Sequence, residues 1–397
     1  MSAEVQPATR SKAPLLLVAA LPLVLLAALL LLIVRTDVIR PLRGEAPPVE
    51  ELAIASVRVT ADGFEMALVN DGPDPVRIAQ VLVDEAYWVF EQQPPGELAH
   101  LDRARVSIPY PWVEGEVHEL RLLTASGVTF DHTVEVAVES PRPSVRAFWL
   151  LALVGIYVGV LPVALGLLWH PALRRLGRGG LDFVMALTLG LLVFLLVDAT
   201  HEGLEAAGTV ASSYQGTVLF FLVGGLAYLG IEAFGGWLSR RRRAASGAWV
   251  AALLVAVGIG LHNFGEGLAI GAAIGLGEAA LGALLIVGFT LHNTTEGLAI
   301  VAPLAQEKAP LRRLATLGLI AGAPTIAGAW IGGFVYSPFW SVVFLAIGAG
   351  AIAQVIGQIG RGAAAGRQIG DYLRSGAAVS GLICGFGLMY ATGLLIG

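Results

Sequence analysis

The amino-acid sequence predicts an all-α polytopic membrane protein: an eight-helix core plus one N-terminal anchor helix, with an inserted β-sandwich domain. Three observations lead there. Hydrophobic residues make up 56% of the chain and charged residues only 14%, against about 25% charged in soluble proteins, so lipid is the solvent for most of it. Apolar runs long enough to span a bilayer recur along the chain. One stretch between the first run and the others has the opposite character, acidic and divided into short alternating segments. The 50 glycines fit a helix bundle that needs close backbone contact.

The first element is the uncharged run 15–34, LLLVAALPLVLLAALLLLIV. A cleaved signal peptide has an apolar core of about 7–15 residues followed by small residues. This run is longer and leucine-rich, so residues 1–44 are expected to be a cytoplasmic N-terminus and a retained anchor helix.

Residues 45–142 hold 18 acidic and 6 basic residues, a net −12. Strands are predicted at Ala53–Thr60, Phe64–Asn70, Val76–Val83, Arg103–Ile108, Glu116–Leu123 and His132–Val138. Turn chemistry such as Asn70-Asp71-Gly72-Pro73 separates them, which is the pattern of a β-sandwich. His100, His118 and His132 follow no ligand spacing and are expected to be surface histidines. Trp88, Tyr110 and Trp112 are expected to be core or rim aromatics. Pro141 and Pro143 mark the linker into the next domain.

Residues 143–397 contain eight apolar runs, at 147–169, 181–201, 216–237, 248–270, 281–303, 314–334, 338–359 and 376–396. Alternate loops carry Arg174, Arg175 and Arg178; Arg240 to Arg243; Lys308, Arg312 and Arg313; and Arg361, Arg367 and Arg374. The intervening loops carry no basic residue. The positive-inside rule therefore places the basic loops in the cytoplasm and the β domain outside, in a plasma or inner membrane. The first helix disagrees mildly, with Arg10 and Lys12 before it and Arg35, Arg40 and Arg43 after it. The asymmetry of the eight-helix core is much larger and decides the orientation. Arg240 to Arg243 are then most simply a topology determinant.

Chemistry is concentrated in an internal near-repeat. Leu261-His262-Asn263-Phe264-Gly265-Glu266-Gly267-Leu268-Ala269-Ile270 returns 30 residues later as Leu291-His292-Asn293-Thr294-Thr295-Glu296-Gly297-Leu298-Ala299-Ile300. Each copy sets His and Glu at i and i+4, on one helix face and roughly 6 Å apart. Ionisable residues inside an apolar span are costly and point to function. Two such pairs on neighbouring antiparallel helices predict a His/Glu cluster suited to zinc, iron, manganese or cobalt. Asn263 and Asn293 lie one step round and offer amide oxygens. The bland alternative is polar glue between helices, which rarely needs two imidazoles and two carboxylates at matched spacing. The single cysteine, Cys384, excludes an intrachain disulfide and thiolate clusters.

These two segments resemble the H-N-x-P-E-G signatures on the fourth and fifth helices of the ZIP (Zrt/Irt-like) metal transporters. The resemblance covers residues 147–397. The segment Asp198-Ala199-Thr200-His201-Glu202-Gly203-Leu204-Glu205 is similar to that family's H-x-x-P-E region at the end of helix two. The resemblance implies two three-helix repeats around the motif helices and uptake of a divalent metal toward the cytoplasm. It implies that His262, Glu266, His292 and Glu296 form the primary site. Asn263 and Asn293 match positions that help form an adjacent second site, with both glutamates bridging. There are departures. The motif proline is Gly265 in one copy and Thr295 in the other. Thr325 stands where relatives often carry a glutamate ligand, and Gln354 and Gln358 where some have an acid. A mononuclear site, or a weak second one, is therefore expected.

Asp198, His201 and Glu202 are candidates for the entrance or pathway; ordinary interfacial charge is the competing account, and the preferred one for Glu205. Glu232 reads as structural, paired with a polar group such as Gln354. The cargo is expected to be zinc, with Fe2+, Mn2+ and Cd2+ as alternatives, and protonation of the ligands should weaken its binding. Neither a cofactor nor a nucleic-acid partner is expected. The lipid bilayer is the partner, and a homodimer is one arrangement left open. Two rivals remain: an intramembrane metalloenzyme, for which no HExxH motif or dedicated nucleophile is present, and a metal sensor that uses the β domain as reader.

Overall fold

The computed structural model describes residues 13–36, 48–241, 247–277, 279–364 and 368–394. Arg10, Lys12, Arg40, Arg43, Arg242, Arg243 and Arg367 lie outside the described residues, as do the first positions of the expected β domain, 45–47. The chain divides into two units, Met1–Val49 and Glu50–Gly397. The first contains helix α1, Ala13–Thr36, with Pro22 inside it.

The second unit begins with eight strands among the described residues: β1 Leu52–Thr60, β2 Gly63–Asn70, β3 Ile78–Val83, β4 Ala86–Trp88, β5 Glu91–Gln93, β6 Arg103–Pro109, β7 His118–Thr124 and β8 Thr129–Val134. They form two antiparallel sheets, ordered β1-β2-β6-β5 and β4-β3-β7-β8. Alternation places Val59, Phe64, Met66, Val81, Val106 and Leu122 in the shared core. The short strands β4 and β5 are not legible in the sequence. The last strand lies earlier than predicted, at Thr129–Val134 rather than His132–Val138. The β7–β8 hairpin explains this: His118 opens β7 and pairs with Val134, so residues beyond 134 have no partner on β7.

His118 is a correction. It is buried at 3% exposure rather than on the surface. Its Nδ1 bonds Asp84 Oδ2 at 2.8 Å, which also accepts from the Tyr110 hydroxyl at 2.8 Å. Burial alone would raise the Asp84 carboxyl, but its bonds to His118, the Glu119 amide and Tyr110 hold it below the usual carboxylate range. Trp88, Tyr110 and Trp112 pack on the edge of the core, as expected.

Helices follow. The first span, Val145–Leu173, comprises α2 Val145–Gly155, a π-helical turn Ile156–Val160, α3 Leu161–Leu167 and α4 His170–Leu173. Then come α5 Arg178–Gly208, α6 Gly216–Arg241, α7 Gly247–Leu276 and α8 Ala279–Val301. The sixth span is broken into α9 Leu311–Gly322 and α10 Pro324–Phe334, and α11 Pro338–Ala363, α12 Ile369–Leu373 and α13 Gly376–Leu394 complete the chain. Among the described residues, seven helical spans are long and apolar enough to cross a membrane. Helix α13 is a shorter apolar helix beside them. This is the architecture of a multi-pass membrane protein.

The helices associate in two groups. Helices α3, α9 and α10 pack around α7 and α8, while α6, α11 and α13 gather with α5; α7 against α11 is the main joint between the groups.

Two clasps hold the β domain to helix ends. The amides of Ser212 and Ser213 donate to the Asp71 carboxylate, the Ser213 bond at 3.0 Å. Ser140 Oγ donates to Leu276 O at 3.0 Å and accepts from the Val59 amide at 3.1 Å. Burial acts to raise the Asp71 carboxyl, but the Ser213 and Ser212 amides outweigh it and lower its pKa. A lowered carboxylate pKa contributes stability above the unfolded value, near 3.9, and loses it as pH falls through the folded value. Asp71→Ala is therefore expected to lower stability by about 1–3 kcal/mol at neutral pH. The difference should shrink at a pH acid enough to protonate the wild-type carboxyl too, below its ordinary value near 3.9. Thermal unfolding of the full chain in detergent at both pH values checks this.

Candidate metal centre

Each residue of the repeated motif has a separate job in the bundle. Glu266 is the hub. Its Oε1 meets His292 Nε2 in a hydrogen bond and lies 3.2 Å from His262 Nε2. Its Oε2 accepts from Asn293 Nδ2 at 2.8 Å. Ligand atoms of His262, Glu266 and His292 lie within 4.8 Å of one another, and all three residues are buried. The motif copies thus converge across the α7–α8 pair, as their matched i, i+4 spacing predicts.

The asparagines are anchored by their amide nitrogens. Asn293 Nδ2 also donates to Val158 O at 3.1 Å, in the π-helical turn of the first span. Pro162, four residues beyond Val158, has no N–H for the ordinary helical bond. Asn263 Nδ2 donates to Ala321 O at 3.2 Å, in the last turn of α9 before the Pro324 break. Both asparagines therefore dock on carbonyls beside helix irregularities. This fixes each amide with Nδ2 on protein, leaving Oδ1 for something else.

The motif glycines provide close packing. A Cβ on Gly267 would lie 2.1 Å from Thr325 O, and one on Gly297 would lie 2.3 Å from Val163 O. So the glycine after each glutamate seats α7 on α10 and α8 on α3. Sequence reasoning assigns these glycines no role; their equivalent place in both copies is the signal for it.

Glu296 is placed differently from Glu266. It is buried at 3% exposure. It lies in the electrostatic neighbourhood of Glu266, His262 and His292, outside the tight three-residue group. Neither of its carboxylate oxygens has a hydrogen-bond partner. Among the described residues, the unpartnered buried polar atoms also include His262 Nε2, Asn263 Oδ1, Asn293 Oδ1 and Thr325 Oγ1. Every one of these can act as an acceptor. Buried acceptors without donors are expensive in an apolar interior. The histidine, glutamate and asparagine atoms among them belong to the two motif copies, and such nitrogen and oxygen donors could hold a divalent cation.

The other candidate positions fall into different surroundings. Helix α5 runs on to Gly208, so His201 and Glu202 sit within it rather than at its end. Glu202 is half-buried, in electrostatic reach of His262, Glu266 and His292, with Asp198 beside it. His201 points away, exposed, 3.9 Å from Glu205. Thr325 is fully buried at the packed face of Gly267. Gln354 donates to Glu232 at 2.9 Å and to Gln358 at 3.3 Å, while Arg361 donates to the same Glu232 oxygen at 2.8 Å. Glu232 therefore has the structural pairing expected of it. At the proline departures, neither Gly265 nor Thr295 breaks its helix; Thr295 Oγ1 donates to His292 O at 2.6 Å.

No family model matches this chain, and no curated protein matches it either.

Proposed function

We propose that this protein carries a divalent transition metal ion, Zn2+ foremost, across the membrane toward the cytoplasm, in the manner of the ZIP-like transporters its motifs resemble. The observation that carries this is the buried meeting of His262, Glu266 and His292 beside the unpartnered oxygens of Glu296, Asn263 and Asn293. Polar glue would satisfy its own hydrogen bonds; this group leaves acceptors open.

In the proposed mechanism the β domain and the loops without basic residues face outward, and the basic loops face the cytoplasm. A hydrated ion passes Asp198 and Glu202 and exchanges water for imidazole nitrogens and carboxylate oxygens. Glu266 and Glu296 offset its double charge where the surroundings are apolar. To accept the ion, His262 and His292 must be neutral at the coordinating nitrogen, so acid competes with metal. Release requires the site to open to the other side. The two helix groups meeting at α7 and α11 suit a rocking of one against the other.

The test is uptake into proteoliposomes of the full chain, with Zn2+, Fe2+, Mn2+ and Cd2+ in competition. Saturable uptake with mutual competition is expected. Hydrolytic activity without flux would favour the enzyme alternative, and metal-dependent partner binding without flux the sensor.

A further inference from the structure

A small cavity lies on the side of His292 and Glu296 away from the other motif helix. His292, Thr295 and Glu296 line it from α8, Leu191, Leu192 and Leu195 from α5, and Met389 from α13. Thr295 Oγ1 is committed to the His292 carbonyl at 2.6 Å. The facing wall is otherwise leucine, so the group it brings to the pair that differs chemically from hydrocarbon is the Met389 thioether. Met389 is 4% exposed. Both Glu296 oxygens, on the same cavity, lack hydrogen-bond partners.

We propose that Met389 supplies a thioether ligand from α13 to the ion held by His292 and Glu296, biasing the site toward softer ions, Cd2+ and Zn2+ over Mn2+. The proposal rests on the transport reading above and deepens it by naming a selectivity determinant. Imidazole and carboxylate accept most first-row divalent ions in order of general affinity. A neutral sulfur adds no charge but favours polarisable ions, and methionine is flexible enough to reach or withdraw as an ion passes. A third helix would then hold the ion, joining α13 to the motif pair.

The chain is convenient for a direct test because it has one cysteine and four methionines. Cys384 is exposed, and Met66 is buried in the β-sandwich. The full-length Cys384→Ser protein, purified in detergent and loaded with Cd2+, would be examined by X-ray absorption. Met389→Leu, which conserves volume, would be compared in the same background. The expected spectrum has nitrogen and oxygen neighbours plus one sulfur. In the Met389→Leu protein the sulfur disappears and the nitrogen and oxygen shell remains. The preference for Cd2+ over Mn2+ in competitive binding should fall about tenfold, the low end of what a supporting group contributes to metal affinity. Cd2+ bound without sulfur in the parent protein, sulfur persisting in Met389→Leu, or an unchanged preference overturns this proposal alone. Failure of the parent protein to bind Cd2+ while it binds Zn2+ also overturns this proposal alone, and failure to bind either ion removes the transport reading and this one with it.

Discussion

Replacing Glu266 by alanine is expected to abolish metal uptake and weaken Zn2+ binding on the order of 100-fold or more, since a direct ligand should exceed the 10–100-fold of outer-sphere groups. Glu266 accepts from His292 and Asn293, with His262 Nε2 3.2 Å away. Its loss strips the partner from His292 and Asn293 and lowers metal-free stability too. Glu296→Ala should behave oppositely in one respect. Its two oxygens are buried and unpartnered, so removing them relieves an unsatisfied carboxylate and raises the metal-free melting temperature. The same substitution takes away one of the two charges that offset the ion, so binding and uptake still fall. Melting with and without Zn2+ reads both effects. Wild type at 100 times its dissociation constant should gain about 2.7 kcal/mol, and each variant much less. A Glu296→Ala protein that melts lower without metal, or gains as much from Zn2+ as wild type, contradicts this account.

The second large effect concerns the motif glycines. A methyl on Gly267 would stand 2.1 Å from the Thr325 carbonyl oxygen and one on Gly297 2.3 Å from that of Val163. Backbone cannot yield as a side-chain tip does, so each Gly→Ala change must push two helices apart. Overpacking typically costs about 1–3 kcal/mol, and a backbone clash belongs at or above the upper end. Both variants should melt well below wild type and lose metal binding because α7 or α8 shifts the cluster. Gly230 has nothing within 4 Å of its Cβ position. Gly230→Ala should therefore be neutral or slightly stabilising, since alanine is the better helix former. Equal melting of all three variants would show that the close approach is not what these glycines provide.

Legibility in the sequence follows the physics of each feature. The spans are legible because lipid demands long uninterrupted apolar runs, and the eight runs of residues 143–397 correspond to the helical stretches found there. The His–Glu pairs are legible because i, i+4 spacing fixes a helix face whatever the tertiary context. Which pair member becomes the hub is not. Glu266 and Glu296 occupy identical places in their motifs, and the difference arises from what lies opposite, Asn293 and both histidines for one and a leucine wall for the other. The asparagine anchors are hidden for a similar reason: they depend on carbonyls at Val158 and Ala321, each more than 50 residues away in sequence. In the β domain, β4 and β5 have three residues each, too few to show a period of two. His118 reads as a surface residue because its partner Asp84 lies 34 positions earlier.

The proposed function requires one cation held between α7 and α8. The most direct measurement is an anomalous difference map from crystals of the Zn2+-loaded protein, recorded at the zinc edge. A peak within bonding distance of His262, Glu266, His292 and Glu296 is the predicted result. A map with no peak there, in crystals that carry bound zinc elsewhere, would contradict it.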